Sequence, residues 1–197
     1  MYKFLIVLLL LGGCATDTNR ANQDHYYHQA VAAQSHDDWD AARKAWARVV
    51  VNSRSSGASI EQQAVFHYEY GRSLGVTCFF AEAETELLQA YQLDVETDGP
   101  AYMSLTELAR LHLDQQHYAE AAQYFQRMLN EADEGVLPQA PAEHANILDE
   151  FAEALIGTGD AAQAGALQEE AAAIRRSHPQ AQSITERTPY GRHCASN

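Results

Sequence analysis

Two histidine pairs, three cysteines and two arginines are the residues here whose types and spacing bear on chemistry. His25 and His28 lie three apart beside Asp24, and His112 and His117 flank a single turn. A metal site wants a third clustered ligand at a fixed spacing, and neither pair has one. No metal and no cofactor is therefore expected. Cys14, Cys78 and Cys194 contain no Cys-x-x-Cys spacing, so they signal neither a zinc ribbon nor a dithiol redox centre. His-Glu-x-x-His, phosphate-loop and Gly-x-Gly-x-x-Gly signatures do not occur. Glu82, Glu84 and Glu86 read as a solvated helix face. No enzyme activity is expected.

Composition narrows the partners. The 197 residues carry 13 Lys and Arg against 27 Asp and Glu, a formal charge of −14 at pH 7. A chain this acidic repels phosphate backbones and anionic lipid surfaces, and no basic run offsets that, Arg175-Arg176 being only a pair at a helix end. No nucleic-acid role is expected. At 46% hydrophobic the chain has enough apolar material for one folded domain.

The elements that must position these residues recur along the chain. Trp39, Ala42, Trp46 and Val49 begin a series that returns as Phe80, Ala83, Leu87 and Ala90, then as Tyr118, Ala121, Phe125 and Met128. It returns last as Ala161, Ala164, Gln168 and Ala171, where two bulky positions are lost. Steps of three and four keep such residues on one helix face. Twelve residues before each inner Ala stands another small residue, Ala30, Gly71, Ala109 or Ala152, inside a second helical stretch. Those stretches are expected at about 21–35, 59–75, 100–115 and 141–157. The unit is helix–turn–helix, four times over, an all-α fold.

This pattern resembles the tetratricopeptide repeat (TPR), in which a small residue, an Ala and an aromatic recur at fixed positions. The best match is the unit from Leu105 to Phe125. The period of 41, 38 and 43 residues exceeds the usual 34 and is similar to the longer TPR subclass of kinesin light chains. The resemblance implies a TPR-like α-solenoid over 21–176, with units at 21–52, 59–94, 100–134 and 141–176. Residues 52–57 and 133–141 read as loops between units. Residues 177–197, with Pro179, Pro189 and Gly191, read as a non-helical tail with a turn at Thr188–Gly191.

In TPR solenoids the first helix of each unit lines a concave groove. Carried onto this chain, the groove positions include Tyr27, Tyr68, Arg72, Thr106, Arg110, Asn146 and Asp149. Arg72 and Arg110 occupy equivalent places in adjacent units, so they are expected side by side, where two guanidinium forks can grip a carboxylate of a protein or peptide partner. Glu69 and Glu107, three residues before each Arg, and Glu153 in the next unit offer competing internal pairs.

The start of the chain adds a location. Lys3 precedes eight apolar residues, Phe4 to Leu11, and then Leu11-Gly-Gly-Cys14. This resembles the lipobox of bacterial lipoproteins and implies a signal peptide at 1–13, a lipid on Cys14 and a tether at 14–20. Eight apolar residues are far fewer than the roughly 20 that span a bilayer. Ala15 in place of Asp favours the outer membrane, facing the periplasm. In that oxidising compartment Cys78 and Cys194 are expected to pair, drawing the tail over the last repeat or part of the groove. The whole reads as a non-enzymatic envelope scaffold for a protein or peptide partner, in envelope or pilus assembly. The alternative is a regulator of a cell-wall or envelope enzyme.

Overall fold

The computed structural model describes residues 3–132, 136–183 and 187–194, with side chains from Thr18 onward except Val136. The side chains of residues 1–17, which include Cys14 and the stretch expected as a signal peptide, lie outside the described residues. Helices α1 (Lys3–Ser35) and α2 (Trp39–Ser56) form the first unit, α3 (Ile60–Val76) and α4 (Phe80–Glu96) the second, and α5 (Ala101–Asp114) and α6 (Tyr118–Glu131) the third. A single turn, α7 (Val136–Gln139), leads to the fourth unit, α8 (Pro141–Thr158) and α9 (Ala161–Ser177). No strand occurs among the described residues. Each second helix packs on its own first helix and on the first helix of the next unit, as α2 on α3, α4 on α5 and α6 on α8.

The same turn joins the two helices of every unit. Phe79 N–H donates to the carbonyl of Leu74, and Asp38, His117 and Asp160 repeat that bond to Ala33, His112 and Leu155. The residue just before each of these donors, Asp37, Cys78, Gln116 or Gly159, has φ between 60° and 90°. This left-handed position reverses the chain in a fixed way, so every second helix starts in the same register. Asp38 and Asp160 then cap the helices that follow, each carboxylate accepting a backbone N–H of the first turn. A reciprocal Ser59–Gln62 capping box starts α3, and Pro141 starts α8.

The recurring small residues let paired helices approach. Ala30, Ala109 and Ala152 are fully buried. Gly71 is tighter still, since a Cβ there would lie 2.8 Å from Leu87 Cγ. Ala42, Ala83, Ala121 and Ala164 are buried under the same contacts, and Trp46, Leu87 and Phe125 fill the space between units. Phe125 stacks on Phe151 of the next unit at 5.7 Å between ring centres. The two weak positions of the last repeat, Ala161 and Gln168, are exposed. Among the described residues no further helix packs on α9 beyond α8, so a bulky side chain at these positions would find no partner there.

Three expected boundaries differ. The stretch expected as a tether at 14–20 continues α1, because no Pro or Gly lies between Cys14 and Ser35 to stop it. The loop expected from Asn52 is helical to Ser56. Ser53, Ser55 and Ser56 hydroxyls bond carbonyls three residues back, and Gly57 at φ 77° ends the helix. The loop expected at 133–141 contains the turn α7; Asp133–Gly135 lie outside the described residues.

Candidate functional site

The first helices α3, α5 and α8 lie next to one another and form the inner face of the solenoid. Arg72 of α3 and Arg110 of α5 meet there around one carboxylate. Glu107 lies 3.0 Å from Arg110 Nη1 and 3.7 Å from Arg72 Nε. Arg110 also pairs at 2.7 Å with Glu143 and at 2.7 Å with Glu150 of α8, while Arg72 pairs with Glu69 at 3.3 Å. The expected carboxylate clamp is therefore corrected. The two guanidinium groups are adjacent, but three helices already supply their carboxylates, and Arg110 is only 7% exposed. Glu153, a candidate to neutralise Arg110, is exposed; Glu143 and Glu150 do so instead.

Charge explains why this burial is tolerated. Burial pushes the Glu107 carboxyl up, but Arg72 and Arg110 outweigh it and hold its pKa below the ordinary range. Glu150 goes the other way: burial raises its pKa, and Arg110 and Arg187 offset only part of that. Burial likewise raises Tyr68, with the nearby Glu107 adding to it. Buried ions are costly unless paired and hydrogen-bonded, and here each Arg faces two or more acids.

The tail completes the network. Arg187 donates from Nη2 to Asp114 of α5 at 2.6 Å, and its Nε lies 3.4 Å from Glu150 of α8. Three residues later Tyr190 N–H donates to the same Asp114 at 2.7 Å, and its hydroxyl donates to Glu107 at 2.6 Å. The Tyr190 ring packs against bare backbone at Gly75, where a Cβ would come within 2.3 Å of Tyr190 Cδ1. Gly191 and His193 N–H donate to the carbonyls of Gly75 and Val76 at the end of α3, each at 3.0 Å. Gly191 has φ 80°, which lets the chain turn there. Cys194 is then bonded to Cys78 with Cα atoms 5.3 Å apart, inside the ordinary range for a disulfide. Residues 187–194 thus lie across α3, α5 and α8, covering part of the groove. Beside it remains an open cleft of about 560 Å³ bordered by Gln34, Trp39, Glu69, Arg72 and Arg192.

The other expected site residues are dispersed. Thr106 is buried and its hydroxyl donates to the Tyr102 carbonyl, so it presents nothing to a partner. Asn146 and Asp149 bind Arg175 of α9, at 3.1 and 2.7 Å, away from the arginine pair. Tyr27 is 37% exposed and packs edge-on against Trp46 and Phe66 of the first two units. Tyr68 is half-buried with its ring 5.8 Å from the Arg72 guanidinium. Sequence reasoning missed Asp114, Glu143, Glu150, Arg187 and Tyr190. Only the turn residues of the tail gave a signal of them.

One motif was also overlooked. Gly71-Arg72-Ser73-Leu74-Gly75 matches the Gly-x-Ser-x-Gly pattern of hydrolase nucleophiles. That pattern needs a strained strand-to-helix turn that exposes the serine. Here it lies within α3, and fully buried Ser73 donates to the Glu69 carbonyl at 2.9 Å. The two glycines serve packing instead, against Leu87 and Tyr190. Among the described residues no group of three His, Cys, Asp or Glu could hold a metal ion.

No protein-family model and no curated protein matches the chain. Solved structures do. BtubC from P. vanneervenii superposes with a TM-score of 0.71 at 18% identity, covering 84% of this chain and 68% of that one. A Podosopora anserina protein of nearly identical kinesin-light-chain TPR-like repeats gives 0.66 at 18% identity, over 81% and 77% of the two chains. The shared property is the fold: this chain is a TPR-like helical solenoid with its own C-terminal segment seated on the inner face.

Proposed function

We propose that this protein is a non-catalytic TPR-type scaffold that binds a protein partner through an extended segment laid on its inner face, and that a lipid on Cys14 anchors it in the bacterial envelope. One observation carries the binding part. The inner face already holds a peptide segment in the manner of a ligand, through side-chain pockets and backbone hydrogen bonds together. The lipobox-like Leu11-Gly-Gly-Cys14 supports the anchor. No helix among the described residues is long and apolar enough to cross a membrane, so a lipid would supply what the helices do not.

Crosslinking of the full chain in intact cells, followed by identification of what co-purifies, tests the scaffold. A stoichiometric protein partner is expected; turnover of an envelope substrate, lost on a single-residue change, would replace this reading with an enzyme. The anchor has its own test. Cys14→Ser is expected to abolish acyl labelling and to move the protein from the membrane fraction to the soluble one.

A further inference from the structure

Resting on the scaffold reading, we propose that the inner face is a receptor for an Arg-x-x-Tyr segment of a partner protein, and that residues 187–194 are its intramolecular occupant. The chemistry is opposite to a carboxylate clamp. Glu107, Asp114, Glu143 and Glu150 converge on this face against two fixed cations, Arg72 and Arg110. Arg187 brings a third cation from outside the repeats and sits between Asp114 and Glu150. An emptied face would take the cation from Asp114 and leave Glu150 with Arg110 alone, which favours a guanidinium and disfavours an acidic peptide.

The second subsite selects the ring. Gly75 leaves a slot with no Cβ, and Glu107 closes its far end as an acceptor for a phenol. Phe would fill the slot but leave Glu107 without that bond. The third subsite is indifferent to sequence: the carbonyls of Gly75 and Val76 accept two backbone N–H groups, and φ 80° at the residue after Tyr favours Gly. The spacing of Arg, Tyr and Gly is therefore written into the helices. The cis segment has the advantage of high effective concentration. The Cys78–Cys194 disulfide fastens it four residues beyond Tyr190, so a competing segment enters only when that fastening is absent.

The test uses the full chain with Cys78→Ser, Cys194→Ser and Tyr190→Ala, and a fluorescein-labelled synthetic peptide Arg-Thr-Pro-Tyr-Gly-Arg-His read by anisotropy. Saturable binding is expected, at least about tenfold tighter than to the disulfide-closed wild type, with a loss of about tenfold for Tyr→Phe or Arg→Ala in the peptide. Adding Gly75→Ala should abolish it by filling the slot. A thermal melt confirms that each variant is folded; if Tyr190→Ala is not, Arg187→Ala replaces it, since it weakens the cis segment while keeping the ring. No binding by the folded variant, or equal binding of a scrambled peptide, overturns the proposal. A crosslinked partner without peptide binding would overturn this inference and leave the scaffold reading intact. Peptide binding without a crosslinked partner would uphold this inference and count against the scaffold reading.

Discussion

Glu107 holds the inner face together, because it accepts from Tyr190 and Arg110 and faces Arg72 across less than 4 Å. Removing it leaves two buried guanidinium groups short of charge. Glu107→Ala is expected to cost about 3–5 kcal/mol of stability in denaturant titration, the range for breaking one side of a buried ion pair. Its pH dependence has a definite sign. The folded pKa lies below the ordinary glutamate value of 4.5, so its contribution is present above that value and is lost as pH falls through the lower folded one. Glu150 opposes it. Its folded pKa is raised, so its contribution is present below 4.5 and is lost as pH rises through the folded value. Wild-type stability should therefore fall below about pH 4.5 more steeply than that of Glu107→Gln. Equal slopes in acid titrations followed by circular dichroism would show that Glu107 is not the group responsible. Ser73 teaches the converse lesson at this scale: a five-residue pattern has no chemistry without the backbone geometry that exposes it.

At the scale of the helices, the four repeats share a turn more closely than they share a sequence. Asp37, Cys78, Gln116 and Gly159 all adopt the left-handed conformation, and only the last is the residue best suited to it. Nothing lies within 4 Å of a Cβ at Gly159, so Gly159→Ala isolates the backbone penalty. It should destabilise by about 1 kcal/mol in a thermal melt. Equivalent positions in the second helices should differ sharply in the same assay. Leu87→Ala removes a fully buried side chain between units and should cost about 2–5 kcal/mol. Gln168→Leu changes an exposed end and should stay within about 0.5 kcal/mol of wild type. A large effect at Gln168 would mean that something covers the end of the solenoid.

For the molecule as a whole, the disulfide closes a loop spanning 116 residues, from the turn of the second unit to the tail. The units it spans include the third and fourth, so it restrains the unfolded chain across more than half its length. The entropic model puts this at about 4–5 kcal/mol. Cys78→Ser with Cys194→Ser should lower the melting temperature and open the tail to trypsin at Arg187 and Arg192 while the repeats stay folded. Unchanged cleavage would show that the ion pairs of Arg187 and the ring of Tyr190 hold the tail without help.

The repeats were legible in the sequence because they are local. Apolar steps of three and four, small residues at the crossing points and turn residues between them each act within a few residues, so their spacing survives without knowledge of the fold. The adjacency of Arg72 and Arg110 followed from that register alone. Their charge partners did not. Glu143 and Glu150 lie 33 and 40 residues from Arg110, and Tyr190 lies 83 from Glu107. No periodicity links such positions, and many acids in an acidic chain were equally eligible. Folding chose among them by which side chains three packed helices and one returning tail bring within hydrogen-bond reach. Sequence therefore determined the solenoid and the two arginines, and tertiary structure decided that the groove they line is already filled in part by the chain's own tail.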